Sequence, residues 1–183
     1  MLVHAFVSSR LDYCNSLLDG KESLKKLQYV QNVAARIVAH SRKCDHITPI
    51  LCQLHWLPIE ERIVFKILLL TFKCLNGLAP PYLCDLITKY VPRRNLRSLN
   101  GHRLVDVGYK LTRYGLRSFS VASAKLWNAL PLDIRTSDNL LQFKLSLKTH
   151  LFRKAFYQTI YYRLVSYLAF QIVGSLLLIS LFS

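Results

Sequence analysis

No two aspartates stand side by side in this chain, and acids are scarce overall: 10 Asp and Glu against 25 Lys and Arg, a net charge of +15. The missing pair excludes the clustered carboxylates that hold Mg²⁺ in two-metal polymerase or nuclease chemistry. The one adjacent pair of acids, Glu60-Glu61, follows a proline, where acids serve a helix N-terminus. A nucleotide loop is absent too, since Gly20-Lys21 runs on into Glu22 with no upstream glycine at the required spacing. No segment resembles a nucleophile elbow or a triad. Internal repeats and low-complexity stretches are also lacking. The expectation is a chain that is not an enzyme by itself and uses no cofactor and no small-molecule substrate.

Cysteines are few, odd in number and scattered: Cys14, Cys44, Cys52, Cys74 and Cys84. That pattern excludes a disulfide scaffold and predicts free thiols in a reducing compartment. The opening Met1-Leu2-Val3-His4 lacks a basic leader, and Arg10 and Asp12 interrupt the apolar run, so no secretory signal is expected. Cys44, His46, Cys52 and His55 fall within one short stretch, but their spacing does not match a structural zinc pattern. They are read as ordinary core or surface residues.

What is present is apolar mass and positive charge. Over 183 residues, 52% hydrophobic and 11% aromatic content suffices for one ordinary domain with a core, or a domain plus a tail. The charge suits a polyanion, because each neutralised phosphate releases condensed counterions. An acidic partner, an anionic membrane leaflet or solubility are the other readings of the same surplus.

Periodicity predicts helices throughout. Residues 2–18 form one, stopping at Asp19-Gly20. A second covers 23–40, with Leu24, Leu27, Val30, Ala34, Ile37 and Val38 as its buried stripe and Lys25, Lys26, Gln28, Asn32 and Arg36 outside. A short connection makes the two an antiparallel hairpin. Thr48-Pro49 has the cap-then-proline order of a helix start leading to His55 or Trp56. Pro58 restarts the pattern, and 59–75, apolar nearly all round from Ile63, reads as a central bundle helix closed by Asn76-Gly77. Pro80-Pro81 opens a short helix over 82–87, another covers 118–130, and a last follows Ser137 or Asp138, aligning Leu140, Phe143, Leu147 and Leu151. Trp56 and Trp127 are expected to anchor the core.

Between 89 and 125 the character changes: Lys89, Arg93, Arg94, Arg97, Arg103, Lys110, Arg113, Arg117 and Lys125 meet one acid, Asp106. Glycines at 101, 108 and 115 predict loops, with a short hairpin around Leu104 to Leu111. Tyr90, Tyr109, Tyr114 and Phe119 are interleaved, a combination that lets bases stack while cations track a backbone. The bland counterpart is solvated loop charge beside core aromatics. At the far end, 164–183 carries no charge and is long enough to span a bilayer, with Arg153, Lys154 and Arg163 before it on the cytosolic side. Translated flanking DNA, never selected to insert, is the counterpart there.

Seven phrases together resemble one family: Ser9-Arg-Leu-Asp-Tyr-Cys-Asn-Ser-Leu-Leu18, Leu27-Gln-Tyr-Val-Gln-Asn-Val-Ala-Ala-Arg36, His46-Ile-Thr-Pro49, Leu54-His-Trp-Leu-Pro58, Arg62-Ile-Val-Phe-Lys-Ile-Leu-Leu-Leu-Thr71, Leu75-Asn-Gly-Leu-Ala-Pro80 and Leu126-Trp-Asn-Ala-Leu-Pro131. In this order they are similar to the region downstream of the polymerase core in jockey-like non-LTR retrotransposon reverse transcriptases. The resemblance covers roughly residues 8–152. It implies descent from an RNA-directed DNA polymerase whose aromatic-x-Asp-Asp metal site is missing here. It also implies a helical body beside or beyond the thumb, and it assigns no individual residue a role. The family pattern ends near Leu151-Phe152, so the hydrophobic tail is a departure and favours a genomic fragment with altered ends.

The expected architecture is mainly α: a multi-helix, bundle-like domain over 1–157 with a basic loop or short hairpin insert (89–125), then a hydrophobic C-terminal helix within 158–183. The leading function is to hold RNA or an RNA–DNA hybrid, without catalysis. Arg93, Arg94, Arg97, Arg103, Arg113 and Arg117 would contact phosphates, and Tyr109 and Tyr114 would be stacking platforms. The alternatives are a small single-pass membrane-anchored interaction protein whose basic face meets anionic lipid, and a transposon-derived fragment with no retained function. An inserted tail would leave the body cytosolic. Without insertion the chain would be cytoplasmic or nuclear.

Overall fold

The computed structural model describes residues 9–12, 20–92, 102–109, 115 and 118–157. Eight helices make up the regular structure of this part: α1 (Ser9–Asp12), α2 (Gly20–Val38), α3 (Ile47–Gln53), α4 (Ile59–Leu75), α5 (Pro81–Cys84), α6 (Phe119–Asn128), α7 (Leu132–Arg135) and α8 (140–157). Among the described residues there is no strand, only an isolated antiparallel bridge between Lys89 and Leu104. The fold is therefore mainly α, as the periodicity predicts.

The central position expected for 59–75 is the one α4 occupies: it packs against α1, α2, α5 and α6. Its ends are the expected ones. Pro58 is the N-cap residue, Glu60 and Glu61 occupy the first turn, and the chain leaves through Asn76 and a left-handed Gly77 (φ 68°). A proline N-cap offers no side-chain acceptor, and a residue on another helix fills that role: the Gln28 side-chain oxygen accepts from the Ile59 N–H (2.9 Å). α8 runs antiparallel to α4, since Phe143 stacks on Phe72 (4.3 Å between centroids) while Lys154 reaches back to Glu61 (3.3 Å).

Two apolar clusters form the core. The larger gathers Leu68 and Phe72 of α4, Leu104, Ala124 and Trp127 of α6, Leu130, Ile134, and Phe143, Leu147 and Leu151 of α8. The smaller joins Ala34 and Ala35 of α2 to Ile50, Leu51, Trp56 and Phe156. Phe152 packs against both and welds them into one body. Both tryptophans are buried, as expected. Asp12 of α1 closes the side of α4 through a forked pair with Arg62 (2.7 and 3.0 Å) and a hydrogen bond from Lys66 to its carbonyl.

Several expectations need correction. α2 buries the stripe its sequence suggests only in part: Ala34 is buried and Leu24 and Leu27 are half-buried, but Val30, Ile37 and Val38 are exposed, while Gln31 and Ala35 are buried. The reason is polar. Gln31 donates to the Leu57 carbonyl (2.8 Å) and Gln28 also bonds Gln31 and Asn32, so satisfied amides take the inner face and turn the apolar edge outward. α3 begins at Ile47 with His46 as N-cap and no side-chain bond there, so Thr48 lies inside the first turn rather than capping it. The 82–87 helix is shorter, Pro81–Cys84, and α7 is an element the sequence did not suggest. Leu104 pairs with Lys89, and the far end of the expected 104–111 hairpin, Lys110 and Leu111, lies outside the described residues. Among the described residues no helix is long and apolar enough to cross a membrane. The proposed span 164–183 and most of the expected 2–18 helix lie outside the described residues.

Candidate nucleic-acid interface

The described part of the basic segment is pinned at one place. Tyr90 N–H donates to the Arg103 carbonyl and Val105 N–H to the Thr88 carbonyl, both at 2.9 Å, which closes the bridge. α6 then holds the bridge from below. Asn128 acts like a strand edge: its side-chain oxygen accepts from Leu104 N–H (2.9 Å) and its amide donates to Leu104 C=O (3.0 Å). The Trp127 indole N–H donates to the His102 carbonyl at 2.7 Å. His102 sits at φ 44°, the turn that swings Arg103 outward while Leu104 drops into the core.

Beside this bridge opens a cleft of about 510 Å³. Its floor is Phe72, Leu75, Leu104 and Trp127, and its walls carry Lys89, Tyr90, His102 and Arg103 on one side and Arg135 to Asp138 on the other. Four basic side chains thus face a single carboxylate. Burial, reinforced by the nearby charge of Arg103, holds the Arg135 pKa below the ordinary guanidinium value. Two guanidinium groups lining one cleft suit an anion. Tyr90, 51% exposed, stands at the rim with an aromatic face open to solvent.

Of the sequence-derived site residues, Arg103 lies in this cleft. Tyr109 lies elsewhere: Lys125 sits 4.6 Å from its ring centroid and donates to its hydroxyl (3.2 Å), so one ring face already carries a cation. Arg93, Arg94, Arg97, Arg113, Tyr114 and Arg117 lie outside the described residues. Arg135 was missed because it sits beyond the basic segment, next to a proline-started turn, and only folding brings it to Arg103. Lys89 and Tyr90 were noticed as composition but not as site residues, and His102 carried no signal. Cys44, His46, Cys52 and His55 do not converge; the His55 ring packs at a tilt against Phe152 (5.5 Å between centroids) and Cys44 is exposed. Among the described residues, no three His, Cys, Asp or Glu lie close enough to hold a metal ion.

Comparison with known proteins adds no relative: no family model, no curated protein and no solved structure matches this chain.

Proposed function

We propose that this chain is a nucleic-acid-holding helical region of the kind that follows the polymerase core in jockey-like non-LTR retrotransposon reverse transcriptases, and that it is catalytically inactive alone. The observation that carries the reading is the cleft that Lys89, Arg103 and Arg135 line together, with Tyr90 at its rim. A phosphate accepts from two guanidinium groups at once. Tyr90 supplies a face on which a base can stack.

Fluorescence anisotropy on single-stranded RNA and on an RNA–DNA hybrid tests this. With six phosphate contacts, log affinity falls against log salt with a slope of about −4 to −5. Arg103→Gln lowers affinity and reduces that slope by about 1. Binding that ignores salt, or is unchanged by Arg103→Gln combined with Arg135→Gln, counts against the proposal.

A further inference from the structure

The two walls of the cleft differ in hydrogen-bond sense. Lys89 and Arg103 on one wall carry only donors. The opposite wall is built where α7 ends. The last carbonyls of that short helix need donors, and two hydroxyls supply them: Thr136 Oγ1 donates to the Leu132 carbonyl (3.1 Å) and Ser137 Oγ to the Ile134 carbonyl (2.9 Å). With their protons committed there, both hydroxyl oxygens offer only lone pairs, and the Asp138 carboxylate beside them also accepts. Arg135 is the one donor side chain on that side. The floor between the walls is apolar, and the cleft volume of about 510 Å³ falls within the roughly 300–1,000 Å³ of pockets that take one small molecule.

We infer that the cleft seats a single unpaired ribonucleotide of an RNA strand, an inference that rests on the proposed function and narrows its ligand. The phosphate lies between Arg103 and Arg135, and the base covers the apolar floor and stacks on Tyr90 at the rim. The ribose 2′-hydroxyl donates to the acceptors of Thr136, Ser137 and Asp138. Each demand follows from one part of the cleft, and a nucleotide inside a duplex cannot meet all three. There both faces of the base are stacked and its edge is paired, so no face is left for the floor. An unpaired nucleotide presents a free face, a phosphate and hydroxyl donors together. Deoxyribose lacks the 2′-hydroxyl, so the acceptor wall selects RNA over DNA at this one position.

Anisotropy on the full chain with three fluorescein-labelled ligands tests this. They are a single-stranded RNA, the same RNA fully paired to DNA, and that hybrid with one extra RNA nucleotide bulged out of the duplex. The expected result is several-fold tighter binding of the single strand and the bulged hybrid than of the paired hybrid. A deoxynucleotide in the bulge loses most of that gain. Tyr90→Ala loses it as well, whereas Tyr90→Phe keeps it. Tyr90 joins the bridge through its backbone N–H, so neither substitution removes that bond. Adenosine monophosphate equimolar with the RNA leaves the strand bound. Equal affinity for paired and bulged hybrids, a deoxy bulge as good as a ribo one, or displacement by equimolar adenosine monophosphate overturns the inference, and salt-dependent binding in those cases leaves the proposed function standing. Binding that ignores salt removes both.

Discussion

The Trp127 side chain, 2% exposed, combines a packed ring with a satisfied N–H. The ring fills the larger cluster at 5.8 Å from Phe143, and the indole N–H holds the His102 carbonyl at the turn into Arg103. Trp127→Ala is expected to cost about 3–5 kcal/mol. Trp127→Phe keeps most of the packing but strands that carbonyl, at about 1–3 kcal/mol. Urea denaturation of both variants measures the difference, and under the proposed function the Phe variant is expected to bind RNA more weakly even where it remains folded. Cys74 makes a second residue-scale case. Its thiol is held neutral in the fold, with the pKa raised from 9.0 to about 11. In the unfolded chain it ionises near the lower value, so the stability it provides is full below pH 9 and is lost as pH climbs toward about 11. The stability advantage of the native chain over Cys74→Ala narrows across that window, which denaturation at a series of alkaline pH values reads directly.

For a helix, identity and face prove to be separate questions. The positions of α4, α6 and α8 followed from prolines, Asn76-Gly77 and the 143–147–151 spacing, all of which act locally along the chain. Which side of α2 turns inward did not follow. Counting apolar residues favours Val30 and Ile37, yet the buried position belongs to Gln31, because the Leu57 carbonyl and the Ile59 N–H across the interface require polar partners. Those partners lie 26 and 31 positions away, beyond the range of any periodicity. The same limit hid the Arg103–Arg135 approach, and it misplaced the partner of Leu104. Gln31→Ala is therefore expected to destabilise by about 1–3 kcal/mol. Ile37→Lys, at a position 60% exposed, stays within about 0.5 kcal/mol of the native chain. Parallel denaturation curves decide the ranking; an equal loss for both would return the helix to the face its apolar count suggests.

Among the described residues, two apolar clusters are assembled by α2, α3, α4, α6, α7 and α8 together with Trp56, Leu57, Leu104 and Leu130, and the bridge carries Leu104 into the larger one. A chain ending after Tyr157 retains every residue of both clusters, so it is expected to unfold cooperatively in a single transition; a broad, non-cooperative loss of circular dichroism would refute this. The way Asn128 grips Leu104 has one more outcome. A helix side chain, not a neighbouring strand, takes both the N–H and the C=O of Leu104. The outward edge of the bridge is thereby occupied at that residue and does not recruit an extended segment of a second copy.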